Sequence, residues 1–340
     1  MHKLKIAVVT INQPSLTAAC KLVPVLDDYE VNVYGKKDLT HTLEYLHFYN
    51  KLDDILVPAW KEYDAIIAIL AMGAVVRKIA PLLEDKATDP AVLVINLALD
   101  KVVPLLSGHL GGANELANTL TKRLPNCMNF ISTATDQTKT LAFEMLAKKN
   151  GWQIENLKAL AKISNRLLNK QEVKVATYPN VFKSIHIKDN LSLIDFKNLD
   201  LDTVVIAPHI HSDSLTFKPQ ITLGMGCNRR TSFKAIEKAF NDFLEKHKLD
   251  TSQIKNIASF EAKKDEQGLL DFAAYHNWEI HFYEKASING LEQEFSESAS
   301  TKFFGLKGVA EPSAVLASIY KELIIKKEVY NKEITIAGAI

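Results

Sequence analysis

Short apolar runs alternate along the chain with segments whose apolar residues recur at helical spacing. Residues 65–70 form a continuous apolar run typical of a buried parallel strand, and residues 113–123 have the spacing of an amphipathic helix that Pro125 ends. The same pattern predicts strands at 6–11, 31–34, 92–97, 102–105 and 129–132, and helices at 75–83 and 137–149. Alternation of this kind is typical of parallel sheets covered by helices. We therefore predict an α/β domain with a parallel sheet over residues 1–135.

The pattern weakens in the middle of the chain and becomes regular again near residue 219. Strands are predicted at 173–177, 182–187 and 204–207, and the polar residues 208–219 are typical of a linker. Beyond them, strands are predicted at 221–225, 255–260, 279–283 and 334–337, and helices at 232–246, 264–276 and 312–327. The fold class predicted is therefore α/β, with a looser α/β middle segment at 136–218 and a compact βαβ C-terminal domain at 219–340.

Composition and charge exclude several classes of protein. At about 150 residues per domain, 340 residues suggest two or three domains. The 41 basic and 40 acidic residues give a net charge of +1, which provides no general field for nucleic acid or an anionic membrane. The longest apolar run, 65–76, is too short to span a bilayer. Three dispersed cysteines fit neither a disulfide framework nor a zinc site, and they suit a reducing cytosol, so we expect a cytoplasmic protein.

The densest candidate for chemistry is the glycine-rich segment 107–112, which follows a predicted strand and opens a predicted helix. In a parallel sheet it would lie at the carboxyl ends of the strands, where ligands bind. Its glycines would let backbone N–H groups approach an anion at the helix N-terminus. His109 has a side chain suited to acid–base work, and Asn114 and Glu115 follow on the first helical turn. The alternative from spacing alone is a tight turn with a structural histidine.

Arginine is scarce in this chain, with only five among 41 basic residues. Arginine suits bidentate recognition of carboxylates, so its placement is informative. Arg77 follows the buried run at 65–70, although a solvated surface helix would also explain it. Arg229 and Arg230 follow Gly226 and Cys227 at another strand end. The Gly-x-Gly there suggests a phosphate loop, but the third glycine of the dinucleotide fingerprint is missing.

Other polar residues near strand ends allow both a functional and a structural interpretation. The Cys227 thiol would have either a lowered pKa or the role of a small buried hydrophobe. Ser259 lies near the end of the next predicted strand, and Lys263 follows that strand. Glu311 would lie just ahead of the last helix, where an acid commonly favours the helix dipole. His209 and His211 could bind a metal ion, but the sequence offers no third ligand near them, so we predict no metal site.

Several strings together resemble the cobalamin biosynthesis protein G (CbiG) family, the cobalt-precorrin-5A hydrolases of the anaerobic vitamin B12 pathway. They are GAVVR at 73–77, KATDP at 86–90, PLLSGHLGGANELA at 104–117, TATD at 133–136, GMGC at 224–227, ASFEAKKDE at 258–266 and VAEPSA at 309–314. The resemblance covers nearly the whole chain. Two positions depart from the family pattern: Asn228 precedes the arginine pair, and Phe260-Glu261 stands where the family usually has Asp.

The resemblance implies opening of a δ-lactone on a cobalt macrocycle and loss of acetaldehyde, giving cobalt-precorrin-5B. For that chemistry we predict that His109 is the base, with help from Glu115, and that Asn114 is also catalytic. We assign the oxyanion to N–H groups of the loop glycines. The predicted substrate-binding residues are Arg77, Lys86, Ser107, Gly108, Gly111, Gly112, Gly226, Cys227, Arg229, Arg230, Ser259, Lys263 and Glu311. Arginine and lysine would hold the acetate and propionate groups of the ring.

The implied partner is a cobalt-tetrapyrrole substrate, with no nucleic acid and no membrane. No resident cofactor or protein-bound metal follows, because cobalt arrives in the substrate. A homodimer and contacts with neighbouring pathway enzymes are left open. The alternative function is a non-catalytic tetrapyrrole carrier in the same pathway, which would need the glycines and arginines but not the acid–base groups.

Overall fold

The computed structural model describes residues 3–39, 46–85, 88–132, 140–297 and 305–340. The chain divides into two units, Met1–Lys139 and Thr140–Ile340. Short 3₁₀ turns occur at Val23–Leu26, Ala80–Leu82, Leu157–Ala159, Phe196–Asn198, Thr251–Gln253 and Glu261–Lys263.

The first unit contains a seven-stranded sheet with strand order β3-β2-β1-β4-β5-β6-β7. Its strands are β1 (Lys5–Val9), β2 (Glu30–Lys36), β3 (Leu46–Tyr49), β4 (Ala65–Ala68), β5 (Ala91–Ile95), β6 (Lys101–Leu106) and β7 (Met128–Asn129). Its helices are α1 (Gln13–Leu22), α2 (Asp53–Glu62), α3 (Met72–Ile79) and α4 (Ala113–Arg123). The strands β1, β4 and β5 are almost wholly buried, as their continuous apolar sequences predict.

One strand reverses the direction of this sheet. β6 pairs antiparallel with β5, so that Leu106 lies opposite Val92 and Val102 lies opposite Ile95. The carboxyl end of β6 therefore meets the amino end of β5. The glycine-rich segment that follows β6 leaves from that edge, and the prediction that it lies at the carboxyl ends of the parallel strands is wrong. The short connection between β5 and β6 explains the reversal, because a parallel pair needs a long crossover.

The second unit contains two five-stranded sheets with strand orders β10-β9-β11-β12-β8 and β15-β14-β13-β17-β16. The strands are β8 (Gln153–Glu155), β9 (Val173–Thr177), β10 (Leu191–Ile194), β11 (Val204–Ile206), β12 (Thr216–Lys218), β13 (Ile221–Cys227), β14 (Ile254–Phe260), β15 (Ile280–Tyr283), β16 (Leu323–Tyr330) and β17 (Ile334–Ala339). The helices are α5 (Phe143–Asn150), α6 (Leu160–Leu168), α7 (Pro179–Ser184), α8 (Phe233–His247), α9 (Gln267–Tyr275), α10 (Lys285–Asn289) and α11 (Ala310–Ala317). Apolar side chains from both sheets form one continuous buried core.

The α/β fold class is confirmed, but three local predictions are wrong. The helix predicted at 312–327 ends at Ala317, and strand β16 pairs antiparallel with β17 instead. The strand predicted at 182–187 is replaced by helix α7, with Pro179 at its first position. The predicted linker at 208–219 includes β12, a buried strand between β11 and β8. Short apolar runs fit both periods, so pairing partners decide between helix and strand.

The glycines of β13 have a packing role. A Cβ atom at Gly224 would lie 1.7 Å from the carbonyl oxygen of Ala310, because α11 crosses directly over this strand. A Cβ atom at Gly226 would lie 2.6 Å from Oγ1 of Thr335 on the neighbouring β17. The Gly-x-Gly sequence therefore permits close approach of a helix and a strand, and it is not a phosphate loop.

Candidate functional site

The glycine-rich loop of the first unit is folded tightly onto itself. Ser107 has a φ of +54°, in the left-handed region, and its hydroxyl donates to the carbonyl oxygen of Asp89 at 2.8 Å. A Cβ atom at Gly111 would lie 2.3 Å from the Cβ atom of Ser107, so only glycine fits there. Gly112 at the start of α4 has a φ of +88°, which also favours glycine. The loop conformation thus explains why glycine is present at these positions, without any ligand.

Carbonyl oxygens of the loop accept hydrogen bonds from Gly112 and from the first residues of α4. The Gly112 N–H donates to the His109 carbonyl at 3.1 Å, the Ala113 N–H to Ser107 at 3.2 Å, and the Asn114 N–H to Gly108 at 3.0 Å. The Gly112 N–H thus already has an acceptor within the loop, and its assignment to the oxyanion stays a prediction. No described residue accepts a hydrogen bond from the Gly111 N–H. Gly111 is the predicted donor that the loop leaves available.

The three predicted catalytic residues lie on and just after this loop. The His109 side chain is half-buried, and Glu115 is exposed on the first turn of α4. Asn114 is 8% exposed, and its Oδ1 would lie 2.8 Å from a Cβ atom at Gly108. Asn114 therefore packs directly against the loop backbone. The sequence places these residues near one another. Hydrogen bonds join the loop that carries His109 to the start of α4, which carries Asn114 and Glu115.

Asp89 is a structural member of this site that sequence reasoning missed. It is 7% exposed, and its carboxylate accepts from the Glu84 N–H at 3.1 and 3.3 Å, while its carbonyl oxygen accepts from Ser107. Asp89 thereby joins the segment before β5 to the glycine-rich loop at one edge of the sheet. The signal in the sequence is the KATDP string, of which only Lys86 is predicted to bind substrate. Lys86 itself, and residues 133–136, lie outside the described residues.

Arg77 is exposed on α3, the helix that follows the carboxyl end of β4. The glycine-rich loop is at the opposite edge of the sheet, because β6 is reversed. The Arg77 guanidinium donates to the Gly73 carbonyl at 2.9 Å, within its own helix. The described contacts thus fit the solvated surface helix, and the role of Arg77 in substrate binding stays a prediction.

The second unit contains a cavity of about 940 Å³ at the carboxyl ends of β13 and β14, which we term the arginine groove. These strands are parallel, so the segments after them leave from the same edge of the sheet. The lining includes the predicted residues Arg229 and Arg230, together with the starts of α8 and α9. Ser232 caps α8 by accepting from the Ala235 N–H at 3.3 Å.

The two arginines of this groove have different electrostatic surroundings. Arg229 Nη1 lies 2.5 Å from Asp265 Oδ1 and 3.7 Å from Glu266 Oε2. The hydrogen bond from Arg229 holds the pKa of Asp265 below its usual value. Arg230 is exposed, and within the described ranges no carboxylate forms an ion pair with it. Lys263 Nζ lies 3.7 Å from Glu266 Oε2, so Lys263 is bound to the same buried acid.

The other residues predicted in this unit have structural contacts. Burial raises the pKa of the Cys227 thiol, so the small buried hydrophobe is the better interpretation and a lowered pKa is wrong. Ser259 is fully buried and donates to the Met225 carbonyl at 2.7 Å, which ties β14 to β13. Glu311 is 2% exposed within α11, not ahead of it, and accepts from Ser296 and from the Lys327 N–H at 2.6–2.8 Å. Substrate contact by Ser259 and Glu311 would require these interactions to break.

A search of the described residues finds no group of three or more His, Cys, Asp and Glu side chains arranged to hold a metal ion. The His209 ring is half-buried, with Nε2 3.4 Å from the Tyr178 hydroxyl. His211 Nε2 donates to the Lys248 carbonyl at 3.0 Å. Among the helices in the described ranges, none has the length and apolar character needed to cross a membrane.

Comparison with known families accounts for most of the chain. The model for the cobalamin synthesis G N-terminal region matches residues 54–136, the cobalamin biosynthesis central region matches 141–207, and the cobalamin synthesis G C-terminus matches 221–339. The chain belongs to the cobalamin synthesis G (CbiG) family. Its three matched regions include the glycine-rich loop and the arginine groove.

Named relatives cover most of this CbiG family member. It is 32% identical over 306 residues to the cobalt-precorrin-5A hydrolase of Priestia megaterium, covering 83% of this chain and 81% of that protein. It is also 32% identical over 273 residues to the cobalt-precorrin-5A hydrolase of Salmonella typhimurium, covering 76% of this chain and 78% of that one. A solved structure of a putative cobalamin biosynthesis protein G homolog from Sulfolobus solfataricus is 23% identical, with a TM-score of 0.41, covering 99% of this chain and 97% of that one.

Proposed function

We propose that this protein is a cobalt-precorrin-5A hydrolase, the activity named for its relatives. The observation that carries the proposal is the 32% identity to the Priestia megaterium hydrolase over 306 residues. Neither unit is that long, so the similarity includes residues of both units. The likeness is therefore not confined to one unit of the chain.

The first step is opening of the δ-lactone by water. The oxygen of water attacks the acyl carbon, a base takes the proton, and the ring C–O bond breaks to leave a carboxylate and a secondary alcohol. We assign the base to His109, because a neutral imidazole accepts a proton near pH 7. The half-buried side chain lies on a loop whose backbone is held by internal hydrogen bonds. Glu115, one turn into α4, would assist the imidazole electrostatically.

The developing oxyanion needs a donor at the acyl oxygen. We assign this donor to the Gly111 N–H, because the N–H groups of Gly112, Ala113 and Asn114 already donate within the loop. The α4 dipole would add a favourable potential at the same end of the helix. Asn114, packed against Gly108, would maintain the loop geometry.

The second step breaks a carbon–carbon bond. The freed hydroxyl loses its proton, the bond between the carbinol carbon and the macrocycle breaks, and acetaldehyde leaves while the macrocycle takes the electron pair. This retro-aldol-type cleavage makes the protein a hydrolase that also acts on a carbon–carbon bond. Cobalt enters as part of the substrate, and the reaction as written needs no other cofactor.

Basic side chains would bind the peripheral acetate and propionate groups of the ring. The best-supported candidate is in the arginine groove, where an exposed guanidinium lines a large cavity. We expect the reaction to take place in the reducing cytoplasm, which suits the three cysteines, all of them free thiols.

The test is release of acetaldehyde from cobalt-precorrin-5A by the purified protein under anaerobic conditions, followed by an aldehyde-coupled assay. We expect multiple turnovers, with one acetaldehyde formed for each cobalt-precorrin-5B. Stoichiometric binding without release would identify a carrier instead. Neither binding nor release would contradict both interpretations.

A further inference from the structure

The two arginines of the arginine groove differ in their ion pairing within the protein. Arg229 is an ion-pair partner of Asp265 and Glu266, so its charge is balanced within the protein. Arg230 lines the same cavity and is exposed, and no carboxylate of the described residues forms an ion pair with its guanidinium. A ligand carboxylate entering the groove would therefore find its partner at Arg230.

The backbone of Arg230 is in an unusual conformation. Its φ of +64° is in the left-handed region, which residues other than Gly, Asn and Asp rarely adopt. Two hydrogen bonds hold this turn: the Arg230 N–H donates to Glu266 Oε1 at 2.5 Å, and the Thr231 hydroxyl donates to the Asn228 carbonyl at 3.0 Å. The turn thus depends on an acid from a different segment of the chain.

Glu266 is well placed to hold that turn in position. It is 4% exposed, and its Oε2 lies 3.7 Å from both Arg229 Nη1 and Lys263 Nζ, within ion-pair range but with no hydrogen bond to Oε2 from any described residue. Two residues further on, a Cβ atom at Gly268 would lie 2.1 Å from the Thr231 carbonyl oxygen. The start of α9 is thus packed directly against the turn, which places Glu266 beside it.

We propose that Glu266 is the positioning residue of the arginine groove, and that the turn it holds presents the Arg230 guanidinium to one carboxylate group of the tetrapyrrole substrate. Glu266 acts through Arg230 and does not touch the substrate. Arg229 and Lys263 balance the charge of Glu266. This inference rests on the proposed function for the identity of the substrate, and on the Arg230 guanidinium, unpaired among the described residues, for its carboxylate.

The test is a double-variant cycle in which binding and turnover are measured separately. Arg230→Asn removes the guanidinium and retains a residue that tolerates the left-handed turn. Glu266→Ala removes the acceptor for the Arg230 N–H, and Glu266→Gln retains an amide oxygen that can accept the same bond. Lys264→Gln is the matched control, since it removes an exposed positive charge nearby that does not line the groove.

Binding is measured by fluorescence titration with uroporphyrin, a tetrapyrrole with eight carboxylates, and turnover by KM and kcat for cobalt-precorrin-5A. We expect Arg230→Asn to raise Kd and KM about 10-fold or more, with kcat much less affected, as for loss of a charge-assisted hydrogen bond. Glu266→Ala should raise them by a similar factor, and Glu266→Gln should recover part of the loss. In the Arg230→Asn background, the change at Glu266 should have no further effect, because it acts only through Arg230.

The proposal is overturned if Arg230→Asn binds as tightly as Lys264→Gln, if the two single effects multiply in the double variant, or if the wild-type protein does not bind uroporphyrin. If Glu266→Ala does not fold, Glu266→Gln replaces it in the cycle, with a smaller effect that should again vanish in the Arg230→Asn background. Binding with this pattern but without acetaldehyde release would contradict the proposed hydrolase and leave the groove assignment intact.

Discussion

Two strand-to-helix junctions of this protein, residues 107–112 in the first unit and 224–232 in the second, differ in what their glycines do. In the first unit, Gly111 and Gly112 let the loop after β6 fold back on itself, and the loop carbonyls take up the first donors of α4. In the second unit, Gly224 and Gly226 remain inside β13 and make room for α11 and β17. The residues available to a ligand there are the side chains beyond the strand.

Glycine spacing therefore indicates where another group approaches the backbone closely, but it does not identify that group. In both junctions that group is another part of the protein. The polar groups for which no described residue provides a partner are the Gly111 N–H in one unit and the Arg230 guanidinium in the other.

The catalytic role of the first junction is tested by His109→Ala. Loss of a positioned general base lowers kcat by about 10²–10⁴-fold, and we expect a decrease in that range for acetaldehyde release. The control is His186→Ala, which removes an exposed histidine outside both junctions. Wild-type turnover by His109→Ala would reduce the loop to a tight turn with a structural histidine, and the two junctions would then differ only in packing.

The packing role of the second junction is tested by Gly224→Ala. The added methyl group would meet the Ala310 carbonyl at 1.7 Å, so α11 must move away from β13. We expect the free energy of unfolding to fall by about 3 kcal/mol, at the upper end of overpacking effects. Gly151→Ala is the comparison variant: its φ is +65° with open space around it, so only the left-handed backbone is strained, at about 1 kcal/mol. Equal losses from the two variants, measured by chemical denaturation, would refute the packing account.

The burial of His209 in the second unit is tested by pH. Burial lowers the pKa of His209 to about 4, so the folded protein keeps it neutral where the unfolded chain, at about 6.5, takes up a proton. Stability is therefore lost as pH falls from about 6.5 towards 4. Uptake of one proton limits this loss to about 1.4 kcal/mol per pH unit, and the water that reaches part of the ring makes the loss smaller.

Replacing the ring by His209→Gln should flatten this part of the pH–stability curve and leave kcat at pH 7 unaltered. Urea denaturation of both proteins at pH 7 and pH 4.5 measures the difference. The same slope for both would show that another group titrates in this range.

The strain in the first junction is tested by Ser107→Gly. Glycine relieves the left-handed backbone but loses the hydroxyl bond to Asp89, so the two effects nearly cancel, and we expect a change within about 1 kcal/mol. Ser107→Ala loses the bond and keeps the strain, so it should be the less stable variant. If alanine were as stable as glycine, the left-handed turn would carry no measurable strain.

Local patterns in the sequence predicted much of the fold. Helix α4 has the bounds that its spacing and Pro125 predict, and β9 has the bounds predicted from its apolar run. The direction of β6 was not predictable in this way, because apolar runs carry no information on strand direction. Apolar runs also do not distinguish a short strand from a helix. The helix predicted at 312–327 is therefore wrong over β16, whose identity as a strand depends on its pairing with β17.

Local patterns also located the loop and the arginine pair, but not the acids that organise them. Asp89 and Glu266 are both less than 10% exposed, and each accepts a backbone N–H from another segment or turn. In the sequence they look like ordinary charged residues of solvated loops. Burial of a carboxylate is set by tertiary packing, which no short window of sequence contains.

The central chemical claim is attack of water on the acyl carbon of the lactone, and labelled water tests it most directly. Turnover of cobalt-precorrin-5A in H₂¹⁸O should place one ¹⁸O atom in a carboxylate of cobalt-precorrin-5B for each acetaldehyde released, as mass spectrometry of the macrocycle would show. Release of acetaldehyde with no label in the macrocycle would contradict hydrolytic opening of the lactone and, with it, the role assigned to His109.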